Sequence, residues 1–487
     1  MEVALVNPTG VGSWQADAIA KQQYMFPYSI VFIKNYLDKQ GIPCRIFDLF
    51  DSDPADLYRF CSSHERPVIG LTSDSYERFE TIGVIKQIKY HNPGAICVVG
   101  GKHFSFCAED TLIHVPEIDF VVRGEGERTF HELVSSLSSN SPVSNIQGIS
   151  FRSDGQIIHN RHRPPEKDLE RFMLDFRILQ MNNFQKGVYL RNFENEKIRA
   201  LPLHLARGCS RKCGFCSFGL TPYRSRDIES VLNDIYYLKD KYDCNYFLFV
   251  DPSFCERKEF VKEFCARLIN ENVGIKWWCE ARVDTSLNIL ELMVKAGCIS
   301  LDFAIESGSD RILKSISKGI NIPQALAFAK ECKNLGLRCL TFFMVSLPDE
   351  TEADALETLR VAESISQYTK YIVANATQIL PGTTFEKLAR EREILPNDFS
   401  WYDEKFNHDF KDLALPTMPL YIENLSVDFI RDFLARFQFL KDTRYTNLAD
   451  LKRMVRKGLQ RIPEQTISEV VSETLRFGKV LMNKLRK

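Results

Sequence analysis

Arg207-Gly208-Cys209-Ser210-Arg211-Lys212-Cys213-Gly214-Phe215-Cys216 sets three cysteines at the spacing C-x3-C-x2-C, directly after an apolar run, Leu203 to Ala206, that reads as a short buried strand. Three thiolates this close in sequence can converge on one soft metal centre, because thiolates select iron–sulfur clusters, zinc or copper(I) over hard cations. Three is one fewer than the four that a cluster usually takes, so a four-iron cubane held this way keeps one iron open to an outside ligand. Two blander readings compete: a C-x2-C pair is common in structural zinc sites, and cysteine often serves as a small buried hydrophobe. Zinc needs a fourth ligand, and no second C-x2-C or H-x3-H follows; the nearby His204 lies inside the apolar run and reads as a packed residue.

The patterns on either side of this stretch set the fold. Downstream, apolar strand patterns recur at 203–207, 246–251, 275–280, 300–306, 338–345 and 371–380 with helical patterns between them. Six such units predict an open barrel two units short of eight, with its chemistry at the C-terminal ends of the strands. Upstream, strands at 3–7, 44–48, 68–72, 96–99 and 120–123 alternate with helices at 28–40, 54–63, 79–90 and 129–137. That alternation predicts a doubly wound parallel sheet whose ligands bind beyond the strand ends. The residues there are Asn7-Pro8-Thr9-Gly10, Thr72-Ser73, Gly100-Gly101-Lys102-His103 and Arg123-Gly124-Glu125-Gly126-Glu127. Gly124-x-Gly126 mimics a dinucleotide fingerprint, but Thr129 replaces the third glycine. Its two glutamates would repel a pyrophosphate and suit the positive end of the following helix dipole.

With the aromatic Phe215 directly before its last cysteine, the central motif resembles the signature of the radical S-adenosylmethionine (SAM) superfamily. Val98-Val99-Gly100-Gly101-x-His103, followed by Ile118-Asp119-Phe120-Val121-Val122-Arg123-Gly124-Glu125-Gly126-Glu127, resembles the cobalamin-binding domain that precedes the barrel in one large subgroup of that superfamily. The resemblance extends over residues 1 to about 395. It implies a [4Fe-4S] cluster on Cys209, Cys213 and Cys216, with SAM bound at the open iron. It also implies SAM contacts from Phe215, Asp251, Arg282, Glu306, Ser307, Ser346 and Gln378, of which Arg282 suits the planar methionine carboxylate. Cobalamin contacts are implied at Thr72, Ser73, Gly100, Gly101, His103 and Glu125, the double glycine admitting the nucleotide tail. Asn7 to Trp14 contains no histidine, so no lower axial ligand is offered there, as is general in the subgroup. Two turns depart from the family pattern: Asp251-Pro252-Ser253-Phe254 stands where relatives often pair aspartates, and Ser346-Leu347-Pro348-Asp349-Glu350-Thr351 replaces a more glycine-rich turn. No acid or base is assigned a catalytic role.

The fold class expected is therefore α/β: a Rossmann-like cobalamin-binding domain at 1–140, a hairpin and linker at 141–200, a partial (β/α)6 barrel at 201–395 and a helical C-terminal extension at 396–487. The extension carries Trp401, Tyr402, Phe406 and Phe410, then helical patterns at 427–440 and 467–485, and is expected to cap the barrel mouth. A formal charge of -1 over 487 residues gives no electrostatic case for nucleic acid or an anionic membrane. No apolar run approaches the ~18 residues of a spanning helix. Met1 to Val6 enters a strand rather than a signal peptide, which predicts a cytoplasmic protein. Fourteen cysteines in a large chain of this kind argue for reduced thiols, and none outside the triplet forms a second clustered set.

The function this predicts is methylation of an unactivated carbon of a small-molecule substrate, using a 5′-deoxyadenosyl radical and methylcobalamin, with a flavodoxin- or ferredoxin-type electron donor. Cyclisation, oxidation or rearrangement without net methyl transfer is the alternative within the subgroup. A non-catalytic cobalamin- or metal-binding module is the alternative from another class.

Overall fold

The computed structural model describes residues 1–8, 27–50, 52–177, 189–193, 196–403 and 418–442 of the 487. The first sheet contains β1 (Val3–Asn7), β2 (Arg45–Asp48), β3 (Val68–Thr72), β4 (Ile96–Gly100), β5 (Phe120–Val122), β6 (Ile149–Ser153) and β7 (Gln156–His159). Its order is β2-β1-β3-β4-β5-β6-β7, with β1 to β5 parallel. Successive strand side chains point to opposite faces, and here both faces are covered. Val3, Leu5 and Val68 enter one core, while Ala4, Val6 and Ile69 enter another. That is why these strands read as unbroken apolar runs.

Two differences from expectation appear in this unit. The hairpin read as part of a linker is the antiparallel continuation of the sheet, β6 pairing with β5 and β7 with β6. Its turn residues Asp154 and Gly155 both take positive φ, 51° and 74°, the backbone of a two-residue turn that matches strand twist. After β4, where no element was expected, the helices Lys102–Phe106 and Ala108–His114 fill the crossover to β5.

The second sheet contains β8 (Tyr189–Phe193) and β9 (Glu196–Leu203); a separate two-stranded ladder, β10 (Ala206–Arg207) and β11 (Arg224–Ser225), follows β9. The second sheet then continues through β12 (Tyr246–Phe249), β13 (Lys276–Glu280), β14 (Cys298–Glu306), β15 (Arg338–Val345) and β16 (Tyr371–Ala376) in the order β16-β15-β14-β13-β12-β9-β8. Six strands are parallel, as the open barrel requires, and β8 pairs antiparallel at one edge. The first parallel strand is 196–203 rather than 203–207. The chain leaves the sheet there because Leu205 N and Ala206 N donate to the Asp251 carboxylate, at 2.9 and 2.7 Å, instead of to a neighbouring strand. One face of the sheet packs Phe247, Phe249, Trp277, Leu301, Phe303 and Phe343 into the main core. The other holds a small separate core of Ala200 and Trp278 with Tyr246, Leu248 and Ile299.

The described part of the C-terminal extension touches the barrel both at its strand ends and at its sheet edge: just beyond β16, Tyr421 N donates to Thr377 O at 2.8 Å, and just beyond β15, Ser346 Oγ donates to Tyr421 O. Helix Val427–Asp442 buries Ile430, Phe433 and Phe437 and packs on β16, the edge strand, with Phe437 5.3 Å from Phe343. An edge strand with an apolar helix-facing side, Ile372 and Ala376, requires such cover. Residues 399–402 instead seal the first unit: Trp401 N donates to Asp110 at 2.8 Å, and the buried Arg78 donates from Nε to Trp401 O at 2.7 Å. Phe406, Phe410, the helix expected at 467–485 and the loop from Thr9 to Trp14 lie outside the described residues. Among the described residues no helix is long and apolar enough to cross a membrane.

Candidate active site

The cysteine stretch is a loop closed at its neck by the β10–β11 ladder, in which Arg207 and Arg224 are register partners. Cys209 N donates to Thr221 O at 3.1 Å, one step inside the neck. Gly208 has φ 76°, and a Cβ there would stand 2.2 Å from Pro222 O, so the neck closes only around glycine. A tight turn, Cys216 N to Cys213 O at 3.1 Å, folds the last two cysteines back on each other. Gly214 then ties the loop to the barrel helices, donating to Ile316 O and accepting from Phe385 N, each at 3.0 Å. His204, just outside, packs edge-on against Tyr28 at 4.8 Å, the packed role expected of it.

The thiols are free and half-buried. Burial pushes the Cys209 and Cys216 thiols above the ordinary value, against the backbone hydrogen bonds they accept and, at Cys216, against the charge of Lys102. Among the described residues no three His, Cys, Asp or Glu side chains stand already drawn together as a ligand group. The donor set fits an iron–sulfur cluster rather than a hard cation, and its binding would displace the thiol protons.

Beside this loop, at the end of β12, Asp251 Oδ2, Ser253 Oγ and Glu256 Oε2 are buried without a hydrogen-bond partner among the described residues. Glu256 also lies 3.7 Å from Arg211 of the loop. Buried polar groups in native folds are paired, so three orphaned acceptors in one turn fit a bound ligand with donor groups. Burial first, against the two backbone hydrogen bonds it accepts, pushes Asp251 up to about 7. Its Oδ1 shapes the turn after β9, so only Oδ2 is left for the SAM contact expected of it.

The expected SAM residues divide into two groups. Phe215, Arg282 and Glu306 are brought together through Lys318, which sequence reasoning missed. Lys318 Nζ donates to Glu306 Oε1 at 2.7 Å and sits 5.6 Å from the Phe215 ring, and its carbonyl accepts from Arg282 at 2.6 Å. Nothing in the sequence links Lys318 to Glu306, twelve residues away across a helix. Ser307 and Ser346 are turned to internal work. Ser307 Oγ lies 3.3 Å from Thr358 Oγ1 and Ser346 Oγ donates to Tyr421 O, while the backbone of Gln378 forms a β-bridge with Leu420. Glu306 and Ser346 nevertheless end adjacent strands at φ 75° and 67°. Positive φ in a residue other than glycine is strain of the kind that clusters at functional sites.

On the first sheet, Thr72 and Gly100 are register partners at the ends of β3 and β4. Gly101 has φ 92°, and a Cβ there would meet Ser73 O at 2.6 Å and Thr72 Oγ1 at 2.8 Å. Glycine at 101 thus lets the end of β4 pack directly against the backbone at the end of β3, and at Gly100 an added Cβ would meet only ordinary contacts, the nearest Val122 O at 3.5 Å. His103 is corrected: it is 0% exposed, with its ring nitrogens at Ser75 Oγ (3.0 Å) and Tyr402 Oη (3.4 Å). The expected tail contact is replaced by an internal one, and burial, with the charge of Arg78, holds the ring well below the usual range. Glu125 is corrected too, since both its carboxylate oxygens are taken by Arg207, Arg224 and Glu166 N. The glutamates read as helix-dipole charges are partners of the cysteine-loop neck.

Residues 203–362 match the family model described as the Radical SAM superfamily, and residues 18–134 match the B12 binding domain. An uncharacterized methyltransferase of Pyrococcus horikoshii is 29% identical over 350 residues, 70% of this chain and 73% of that one. An anaerobic magnesium-protoporphyrin IX monomethyl ester cyclase of Rubrivivax gelatinosus is 30% identical over 352 residues, 69% of this chain and 61% of that protein's length. Among solved structures, the cobalamin-dependent S-adenosylmethionine radical enzyme OxsB with aqua-cobalamin bound superposes with a TM-score of 0.71 at 16% identity, covering 98% of this chain and 75% of that one. At that identity the likeness is one of fold.

Proposed function

We propose that this chain, which belongs to the radical SAM superfamily and carries its B12-binding domain, is a cobalamin-dependent methyltransferase acting on an unactivated carbon of a small-molecule substrate. The observation that carries this reading is the meeting of two ligand faces. Lys102, directly after the double glycine of the first sheet, lies 2.9 Å from the Phe218 ring of the cysteine loop. When bound, the cluster and SAM supply a 5′-deoxyadenosyl radical and methylcobalamin supplies the methyl group, the difficult chemistry belonging to the cofactors.

The chain's own part is positioning and exclusion. Cys209, Cys213 and Cys216 hold the cluster, Asp251, Arg282, Glu306 and Phe215 line the SAM site, and Thr72, Ser73, Gly100 and Gly101 form the cobalamin cradle. An apolar core in which Cys107, Ile316, Leu347, Phe385 and Trp401 join the first unit, the barrel and the extension, with Phe215 packed against it, keeps water from this junction. The first unit is assigned to residues 1–159, since β6 and β7 complete its sheet. Reduced cysteines and an oxygen-sensitive cluster suit the cytoplasm, with a flavodoxin- or ferredoxin-type donor as electron source.

The test is anaerobic reconstitution with iron, sulfide and hydroxocobalamin, followed by metal analysis of the desalted protein. Stoichiometric cobalt retained with iron is the expected result; iron without cobalt would rule out the methylcobalamin reading. A second reading is favoured by the cyclase relative: ring closure or oxidation without methyl gain. SAM carrying a deuterated methyl group separates the two, because methyl transfer puts the label into the substrate-derived product, whereas cleavage alone leaves it on methionine.

A further inference from the structure

Glu125 and Glu127 stand at the turn between β5 and the helix Gly126–Ser138. Across the interface, Arg207 and Arg224 stand as a pair on the two strands of the loop neck. Glu125 Oε1 accepts from Arg207 Nη1 at 3.3 Å and from Arg224 Nη2 at 2.8 Å, and its Oε2 from Arg224 Nη1 at 3.1 Å. Glu127 Oε1 accepts from Arg207 Nη2 at 2.7 Å. All four side chains are largely buried, Glu127 at 5% exposure and Glu125 at 16%. Burial opposes the charge on Glu125, yet the hydrogen bonds and charges of Arg224 and Arg207 hold its carboxyl below its ordinary value.

A buried ionic network is weak evidence for stability in itself, since its desolvation offsets much of the attraction; its better-attested use is to fix register. Here one carboxylate bridges both strands of the neck. Without it Arg207 keeps Glu127, whereas Arg224 keeps only the carbonyls of Glu166 and Pro222. The two strands would then have no common tether to the first sheet. We infer that Glu125 is a positioning residue: it clamps the neck of the cysteine loop to the ligand face of the B12-binding unit and so sets where the cluster stands relative to that face. The inference rests on the reading that the loop holds a cluster.

The experiment compares the reconstituted full-length protein with E125Q, E125D, R224Q and E125Q/R224Q, following iron release to a chelator and the electron paramagnetic resonance spectrum of the reduced cluster. E125Q is expected to release iron at least about tenfold faster, since removing one partner of a buried ion pair is strongly destabilising, and to broaden the cluster signal. E125D, which keeps the charge, restores much of the wild-type rate. R224Q, altered on the loop side, shows the same acceleration and keeps the test alive if E125Q does not fold. The double variant is no faster than either single one, because the residues act as one unit. Wild-type release by E125Q, or additive effects in the double variant, would overturn the clamp while leaving the cluster reading intact. A wild-type protein that takes up no iron would sink the cluster reading and the clamp with it.

Discussion

Lys102 lays its ammonium 2.9 Å from the centre of the Phe218 ring, which joins the double-glycine turn of the first sheet to the loop carrying the three cysteines. Burial lowers the affinity of this lysine for its proton, while the negative charges of Asp74 and Cys216 oppose that change. The side chain is therefore packed where the double-glycine turn meets the cysteine loop rather than solvated at the surface.

Lys102→Met keeps the length and removes the charge. A cation near a cluster favours the reduced form, which carries the extra electron, so its loss should move the midpoint potential to more negative values. A redox titration followed by electron paramagnetic resonance reads the change; an unaltered potential would show that the ammonium does not act on the cluster.

Cys209→Ala, Cys213→Ala and Cys216→Ala should each abolish retention of a four-iron cluster, since with three cysteines there is no spare ligand. Cys265→Ala, which empties a buried site in the main core, should cost stability and leave iron content as in the wild type. Iron analysis of all four variants decides; retention of a full cluster in a triplet variant would mean that another residue supplies a ligand.

Asp251 gives a pH dependence with a definite sign. Its folded value is raised from 3.8 to about 7, mainly by burial, so the folded state keeps a proton that the unfolded state has lost. Both states are protonated below the unfolded value, and the stability present there is lost as pH rises through the folded value. Asp251→Asn keeps an oxygen to accept from Leu205 N and Ala206 N and cannot ionise. The metal-free variant should therefore match the wild type near pH 4 and exceed it at pH 8, by ~1.4 kcal/mol for every tenfold difference in proton affinity between the folded and unfolded carboxyl. Thermal unfolding across that range checks this, and parallel curves for the two proteins would refute it.

The legible and illegible parts of the site differ in range. The cysteine spacing, the double glycine and the alternating apolar runs are local signals, and apart from the first barrel strand each maps onto a loop or strand where expected. What lay hidden is long-range pairing. Glu125 reads as a helix-dipole charge until Arg224, 99 residues on, is folded beside it. Glu306 reads as a SAM contact alone until Lys318 reaches it. His103 reads as a ligand because the sequence before it ends in glycines, and only the tertiary packing of Tyr402 against it shows the ring enclosed. The barrel's first strand was misplaced for the same reason: residues 205–206 are apolar, and the distant Asp251 takes their amide hydrogens.

Gly208 offers the sharpest local test, because its strain and its contact can be separated. Alanine at φ 76° carries a left-handed penalty of about 1–2 kcal/mol, and its Cβ would stand 2.2 Å from Pro222 O and 2.4 Å from Thr221 O. Those are backbone atoms of the opposite side of the neck, so relief requires β10 and β11 to part, and Arg207 and Arg224 would no longer stand as a pair before Glu125. Gly41 supplies the control: its φ is 74°, but no described residue lies within 4 Å of the added Cβ. Gly41→Ala should therefore show the backbone penalty in its melting temperature and keep its iron. Gly208→Ala should melt lower than Gly41→Ala, because the clash and the loosened Glu125 network add to the backbone penalty, and should lose most of its iron on desalting while Gly41→Ala keeps it. Equal iron retention by the two variants would mean that the closed neck is not needed to hold the cluster, and that the cysteines alone define the site.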